Sequence, residues 1–161
     1  MSVTSDMMAS YRSPRAVVRR RLAMGQREDR AFAILMAACC VIFVSRWPAL
    51  AREAHLTGTE LNPLLGANLF ALMFVLPLIA VSLAFVTHLI LRAFGRKQSS
   101  FGTRFALFWA MLATGPLYLL VGLVEGFIGE GAALTIVGAI WFVAFVWIWG
   151  SGLVEAGRAT T

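Results

Sequence analysis

The side chains that could carry chemistry are few in this sequence and lie far apart. His55 and His88 are its two histidines, and neither stands at a spacing that assembles a catalytic triad or an HExxH zinc motif. A glycine-rich phosphate loop is also missing. Cys39 and Cys40 are adjacent inside an apolar run, where free cysteine acts as a small hydrophobic side chain. The sequence therefore predicts no catalytic residue, no metal ligand and no cofactor, and indicates a protein that is not an enzyme.

Guanidinium groups are the one chemistry that the sequence supplies in quantity. They are concentrated in RAVVRRRLAMGQRED, residues 15–29, and such groups bind the phosphates of nucleic acids or of anionic lipids. The positive charges flank apolar runs and form no separate basic domain. This distribution argues against a nucleic-acid partner and favours a bilayer with anionic headgroups. The candidate headgroup contacts are Arg15, Arg19, Arg20, Arg21, Arg96 and Lys97.

A short basic interfacial helix is predicted over residues 13–30. Ser13 and Pro14 are residue types favoured at the N-cap and at the first helical position. Three consecutive arginines spread around the helical wheel, so the helix has no clean apolar side, and we expect its arginines to extend to the headgroups. Residues 1–12 are expected to be disordered, and residues 154–161 to form a cytoplasmic tail.

The composition indicates a membrane protein. Of the 161 residues, 60% are hydrophobic and 14% are charged, against about 45–50% and about 25% in soluble domains. Four apolar segments approach the length of about 20 residues that a bilayer-crossing helix needs, and Gly150 and Gly152 are expected to end the last. The fold class is an all-α integral membrane bundle of four transmembrane helices, preceded by the basic helix. The predicted spans are residues 31–51, 64–92, 105–125 and 132–152.

The distribution of Lys and Arg predicts the orientation of these spans. Twelve of the 14 fall before the first span, between the second and third, or after the fourth. Under the positive-inside rule, this places both termini in the cytoplasm, with the chain in the inner (plasma) membrane. Arg46 is expected to reach outward from the first span, and Glu125 to lie among headgroups. Cleavage of the first span as a signal peptide stays open as an alternative.

The spans contain almost no ionisable residue, so their remaining distinctive residues are the small ones and the prolines, which affect helix packing and bending. Small side chains let helix backbones approach closely, either within the bundle or against a partner. Proline and glycine pairs favour kinks, although a break flanked by Thr114 and Tyr118 is also compatible with a substrate site. The candidate packing and kink residues are Ala33, Ala37, Cys40, Pro77, Gly115, Pro116, Gly122 and Gly126.

Two stretches resemble a known family. FGRKQSSFGTRFALFWAMLATGPLYLL, residues 94–120, and VGAIWFVAFVWIWGSGLVEA, residues 137–156, resemble the bacterial branch of the Yip domain family, the Ypt/Rab-interacting polytopic membrane proteins. The matching residues are Gly95, Ser100, Phe101, Pro116, Gly138, Ile140, Trp141, Gly152 and Leu153. The resemblance implies a membrane scaffold. The family usually has five spans and a long cytoplasmic N-terminal region, whereas four spans are predicted here after about thirty residues, which makes a GTPase partner doubtful.

The sequence thus favours a non-enzymatic multi-pass membrane protein that acts as a scaffold, assembly factor or accessory subunit. It would work through helix packing with a membrane-protein partner or with further copies of itself. The alternative is a small oligomeric transporter or permease, for which the proline kinks in the second and third spans are the motivation.

Overall fold

The computed structural model describes residues 2–96 and 98–158, and in these ranges it is helical and contains no strand. The helices are α1 (Val3–Arg12), α2 (Pro14–Leu22), α3 (Glu28–Thr57), α4 (Leu61–Phe70), α5 (Leu76–Ala93), α6 (Ser100–Ala113), α7 (Gly115–Phe127) and α8 (Ala132–Arg158). A π-helical turn, Ala71–Val75, joins α4 to α5 without a break.

Three continuous helices of the described chain are long and apolar enough to cross a membrane. They are α3, the combined helix Leu61–Ala93 and α8. A fourth crossing is present if α6 and α7, which bend by 47° at their junction, count as one broken span. This agrees with an all-helical membrane protein of three to four spans.

Helix α6 is the centre of the bundle. Eleven of its fourteen residues are buried, and α1, α2, α3, α5 and α8 all pack against it. Helix α3 runs in the same direction as α6 and α7, since Glu28 pairs with Arg104 near the start of α6 and Arg52 reaches carbonyls at the end of α7. Because α6 is enclosed on several sides, it is the central helix against which the others pack.

The prediction that residues 1–12 are disordered is wrong for the described residues. Val3–Arg12 forms α1, with Ser2 as a side-chain N-cap, and Asp6 and Ser10 are buried. The predicted basic helix over residues 13–30 is shorter than expected, because α2 ends at Leu22 and Glu28 already begins α3. Ser13 and Pro14 do occupy the N-cap and first positions, although Ser13 makes no side-chain cap bond. Helix α1 is stabilised by tertiary contacts with α6, which its own sequence does not predict.

The last helix is also longer than predicted. Gly150 and Gly152 were expected to end the final span, and 154–161 to form a tail, yet α8 continues through both glycines to Arg158. A β-carbon on Gly152 would lie 3.1 Å from that of Ala106 on α6. A glycine inside a helix costs about 1 kcal/mol relative to alanine, and here it permits close packing that offsets this cost. The tail expected over 154–161 is therefore helical as far as Arg158.

The proline of the second span coincides with the π-helical turn. Pro77 is buried, and the turn Ala71–Val75 ends two residues before it. Proline has no N–H for the carbonyl of Met73, and its ring would collide with that carbonyl in a regular α-helix. The π-helical turn precedes the proline with a wider hydrogen bond, from the Leu76 N–H to the Ala71 carbonyl five residues back, and the span continues past Pro77.

Candidate functional site

A buried carboxylate ties the N-terminal helices together. Asp6 on α1 is only 2% exposed, and its two oxygens are bound by Arg20 and Arg21 of α2, with the Arg21 Nε 2.9 Å from Oδ2. The Arg21 side chain is 10% exposed. The structure places Arg21, for which a headgroup contact was predicted, against Asp6, a single carboxylate that it shares with Arg20.

The same arginine connects this ion cluster to the central helix. The guanidinium carbon of Arg21 lies 4.9 Å from the ring centroid of Trp109 on α6, a cation–π distance. The indole Nε1 of Trp109 donates to the Ser10 Oγ at 2.9 Å, and that hydroxyl donates in turn to the Asp6 carbonyl at 2.8 Å. The Ser10 hydroxyl, the Trp109 indole N–H and both Asp6 oxygens all have partners in this network, so it fixes α1 and α2 onto α6.

Helix α1 also satisfies a carbonyl at the break in the third span. The Tyr11 hydroxyl donates to the carbonyl of Ala113, the last residue of α6, at 2.8 Å. The final carbonyls of a helix lack intrahelical partners and must find one elsewhere when they are away from water. Burial raises the pKa of Tyr11, which keeps the hydroxyl protonated as a donor.

Close packing of α3 against α7 uses the predicted glycines. A β-carbon on Gly122 would lie 2.6 Å from the Ser45 carbonyl carbon, and one on Gly126 would lie 2.7 Å from the Pro48 carbonyl carbon. A β-carbon on Gly115 would lie 3.1 Å from a side-chain methyl group of Val41. The Gly122 and Gly126 pair thus serves the internal bundle, one of the two interpretations that the sequence left open.

An ion pair lies beside this glycine contact. The Arg46 Nη1 donates to both oxygens of Glu125, at 2.7 and 2.9 Å, and both side chains are about one-third exposed. Arg46 was expected to reach outward to the membrane surface. Instead it turns toward α7, because the glycines bring Glu125 within reach.

An apolar groove opens over the break between α6 and α7. Its walls come from α5 on one side and from α8 on the other, and Thr114 and Tyr118 lie at its floor. The groove has a volume of about 240 Å³. The Thr114 hydroxyl donates to the Ala110 carbonyl at 2.9 Å, and the Tyr118 ring meets Trp141 edge-on at 5.0 Å. Both residues beside the break are therefore placed to line a cavity, while the hydroxyl of Thr114 also supports the helix.

The other predicted small residues face outward. Ala33, Ala37 and Cys40 are exposed on α3, whereas the neighbouring Ala38 and Cys39 are buried. The sequence therefore identified a stripe that the described chain does not use for its own packing. Pro116 is exposed at the first turn of α7.

The remaining candidate headgroup contacts differ in their surroundings. Arg15 and Arg96 are exposed, while the Arg19 Nε lies 4.0 Å from Glu155 of α8 and its side chain is 71% exposed. Arg20 keeps 44% of its side chain exposed although it binds Asp6. Lys97 lies outside the described residues.

Four residues of the N-terminal network were missed by the sequence reasoning. Asp6 and Ser10 lie four residues apart, a spacing that places both on one face of a helix. This spacing was the sequence signal that could have indicated them. Nothing local in the sequence indicates that Tyr11 would meet the end of α6 or that Trp109 would receive Arg21. Both pairings join an N-terminal helix to α6, which lies far along the chain.

Within residues 2–96 and 98–158, no group of three or more histidine, cysteine, aspartate or glutamate side chains is arranged to hold a metal ion. Comparison of the chain with protein-family models, curated proteins and solved structures found no match.

Proposed function

We propose that this chain is a non-enzymatic inner-membrane protein that works as a scaffold, assembly factor or accessory subunit. It would do so by packing a face of α3 against a transmembrane helix of another protein or of a second copy. Both termini would lie in the cytoplasm, as the distribution of Lys and Arg predicts. The observation that carries the proposal is the outward position of Ala33, Ala37 and Cys40.

The contrast between the exposed faces of the spans supports this proposal. On α8 the exposed positions hold large side chains such as Ile136, Val143 and Trp147, all more than half exposed. Such side chains suit contact with lipid tails. On α3 the exposed positions between Phe32 and Val44 include Ala33, Ala37 and Cys40, whose small side chains let a second helix backbone approach closely.

The two adjacent cysteines provide a matched experiment. Cys40 is exposed and Cys39 is buried. A Cys39→Ser variant, which keeps Cys40, should form a cross-linked product in native membranes under mild oxidation. A product of twice 17.6 kDa would identify a second copy, and another mass would identify a different partner.

The controls use the same helix. Cys40→Ser keeps only the buried thiol and should give no product, because a disulfide requires the two α-carbons to lie within about 7 Å. Ala37→Leu in the Cys39→Ser background should prevent cross-linking by keeping the backbones apart. Failure of Cys39→Ser to cross-link, with or without a short bis-maleimide, would refute the proposed α3 interface.

The groove over the helix break favours a second candidate, a small oligomeric transporter. Its position between α5 and α8 beside Thr114 and Tyr118 would suit a mostly apolar solute. A Pro116→Ala variant should then change the flux of that solute, because an unbroken α6–α7 helix would displace Tyr118. Unchanged uptake and efflux in a deletion strain across broad solute panels would reject this candidate.

A further inference from the structure

A second, polar cleft lies at the turn between α5 and α6, away from the helix break. It has a volume of about 440 Å³ and is lined by His88, Arg92, Gly95, Arg96, Gln98 and Ser100. The lining is rich in hydrogen-bond donors. Within the described residues, none of the ion pairs involves Arg92 or Arg96, so neither guanidinium is neutralised by a carboxylate there.

The turn that forms the cleft is built by a glycine. Gly95 has a φ of 74°, in the left-handed region, and it follows the end of α5. The Arg96 N–H donates to the Leu91 carbonyl at 3.0 Å, and the Gly95 N–H donates to the Arg92 carbonyl at 3.0 Å. This Schellman arrangement folds the chain back over the helix end, so that Arg96 and Arg92 border the same cleft.

Gln98 is the decisive residue. Its side chain is buried, with only 7% of the residue exposed, yet neither its Oε1 nor its Nε2 has a hydrogen-bond partner within the described residues. His88 presents a second such atom, Nδ1. Burying an amide without a partner is unfavourable, and buried polar groups in folded proteins are almost always satisfied. Both side chains line the cleft, where a bound ligand would supply the missing partner for Gln98.

The start of α6 adds a further attraction for an anion. Ser99 caps the helix, and its Oγ accepts from the Gly102 N–H at 2.9 Å. Helix α6 has fourteen residues, and its first N–H groups and the positive end of its dipole favour negative charge at this end. Ser100 brings the first turn of the helix to the edge of the cleft.

From these observations we infer that the cleft is a binding site for a phosphate group. A phosphate offers several acceptor oxygens in different directions, which matches two guanidinium groups, a buried amide donor and a helix N-terminus. Arg92 and Arg96 supply the charge, and Gln98 donates from the buried side. The group could belong to an anionic lipid headgroup or to a soluble phosphate compound. Phe94, which is 81% exposed beside the cleft, is suited to contact with a lipid surface.

The test uses the purified full chain in nanodiscs of phosphatidylcholine, with phosphatidylglycerol added in steps, and counts bound lipids by native mass spectrometry. A parallel titration uses inorganic phosphate and glycerol phosphate. Saturable binding of one phosphatidylglycerol would assign the site to a lipid headgroup. Saturable binding of the soluble phosphates with no lipid preference would assign it to a soluble ligand. Either result supports the phosphate site.

Two variants separate a built site from general attraction between opposite charges. Gln98→Leu leaves the net charge unchanged and should weaken binding about tenfold, the effect of losing one good polar contact. Arg92→Gln should weaken it at least as much. Arg12→Gln removes the same charge from an exposed position on α1 and should leave the affinity unchanged.

Because Gln98→Leu fills a buried position, its folding is checked by the thermal midpoint, and Gln98→Glu gives an independent readout. A carboxylate in the cleft should abolish phosphate binding by repulsion. The inference is overturned if neither ligand binds saturably. It is equally overturned if folded Gln98→Leu and Gln98→Glu both bind as well as the parent chain.

Discussion

Gly122 on α7 lies against the backbone of Ser45 on α3, so closely that a β-carbon on the glycine would stand 2.6 Å from the Ser45 carbonyl carbon. The two helices run in the same direction, and no other pair of helices in the described chain packs as extensively. This contact sets the separation of the first and third spans and brings Arg46 within reach of Glu125.

The first prediction follows from this contact. Gly122→Ala should destabilise the protein by about 1–3 kcal/mol, because the added methyl group forces the helix backbones apart. In a Cys40→Ser background, which removes the exposed thiol, labelling of the buried Cys39 by a fluorogenic maleimide during a thermal ramp measures the loss. Gly138→Ala is the control, since a β-carbon there meets nothing within 4 Å. A midpoint as high for Gly122→Ala as for Gly138→Ala would contradict the observed packing.

The second prediction concerns the buried carboxylate. Asp6→Ala leaves Arg21 buried without its counter-charge and should destabilise the docking of α1 and α2 by about 2–3 kcal/mol, less than for a fully enclosed pair because Arg20 is half exposed. Limited proteolysis should then cut the N-terminal region faster. Asp29→Ala, which removes an exposed pair with Arg27, should not. Equal cleavage rates in the two variants would show that Asp6 does not hold the helices.

A third prediction concerns Tyr11 at the end of α6. Tyr11→Phe should cost about 1 kcal/mol, the usual net value of one hydrogen bond. Burial raises the pKa of Tyr11 above the ordinary value for a tyrosine, so the unfolded chain loses this proton at a lower pH than the folded chain. The resulting stabilisation is complete below that pH and is lost as the pH rises through the folded-state value.

Unfolding of the parent and of Tyr11→Phe, compared between pH 8 and about 11, measures this effect. The parent should lose more stability than the variant above about pH 10. Parallel pH profiles for the two proteins would show that the Tyr11 hydroxyl does not contribute through its ionisation.

The fourth prediction uses charge reversal at the Arg46–Glu125 pair. Arg46→Glu should lower stability by about 1 kcal/mol or more, because two carboxylates then face each other on partly exposed side chains. Adding Glu125→Arg should restore most of the loss. Equal instability of the single and double variants would mean that the pair is not formed.

The fifth prediction distinguishes a broken span from a re-entrant loop. Reporters fused after Gln98 and after Gly129 should lie on opposite sides of the membrane, because α6 and α7 bend by only 47° and continue in one general direction. Reporters on the same side would assign α6 and α7 to a re-entrant pair and reduce the number of spans to three.

The sequence by itself determined that the chain is helical and that several of its helices are apolar enough to cross a bilayer. Long apolar runs leave helices as the structure that satisfies every backbone group without water, and the approximate positions of the four segments follow from that constraint. The break at Gly115 and the GxxxG spacing of Gly122 and Gly126 could also be predicted from the sequence, because glycine and proline act on the backbone of their own segment.

Only the tertiary structure decided which polar groups meet. Asp6 pairs with Arg20 and Arg21 at a separation of 14 and 15 residues, and the Trp109 indole N–H donates to the Ser10 hydroxyl across 99 residues. Residues 1–12 were predicted to be disordered because the ends of a chain usually are, and helix α1 is stabilised by contacts with α6. Partners this distant along the chain are set by the packing of whole helices, whose relative rotation no short sequence pattern specifies.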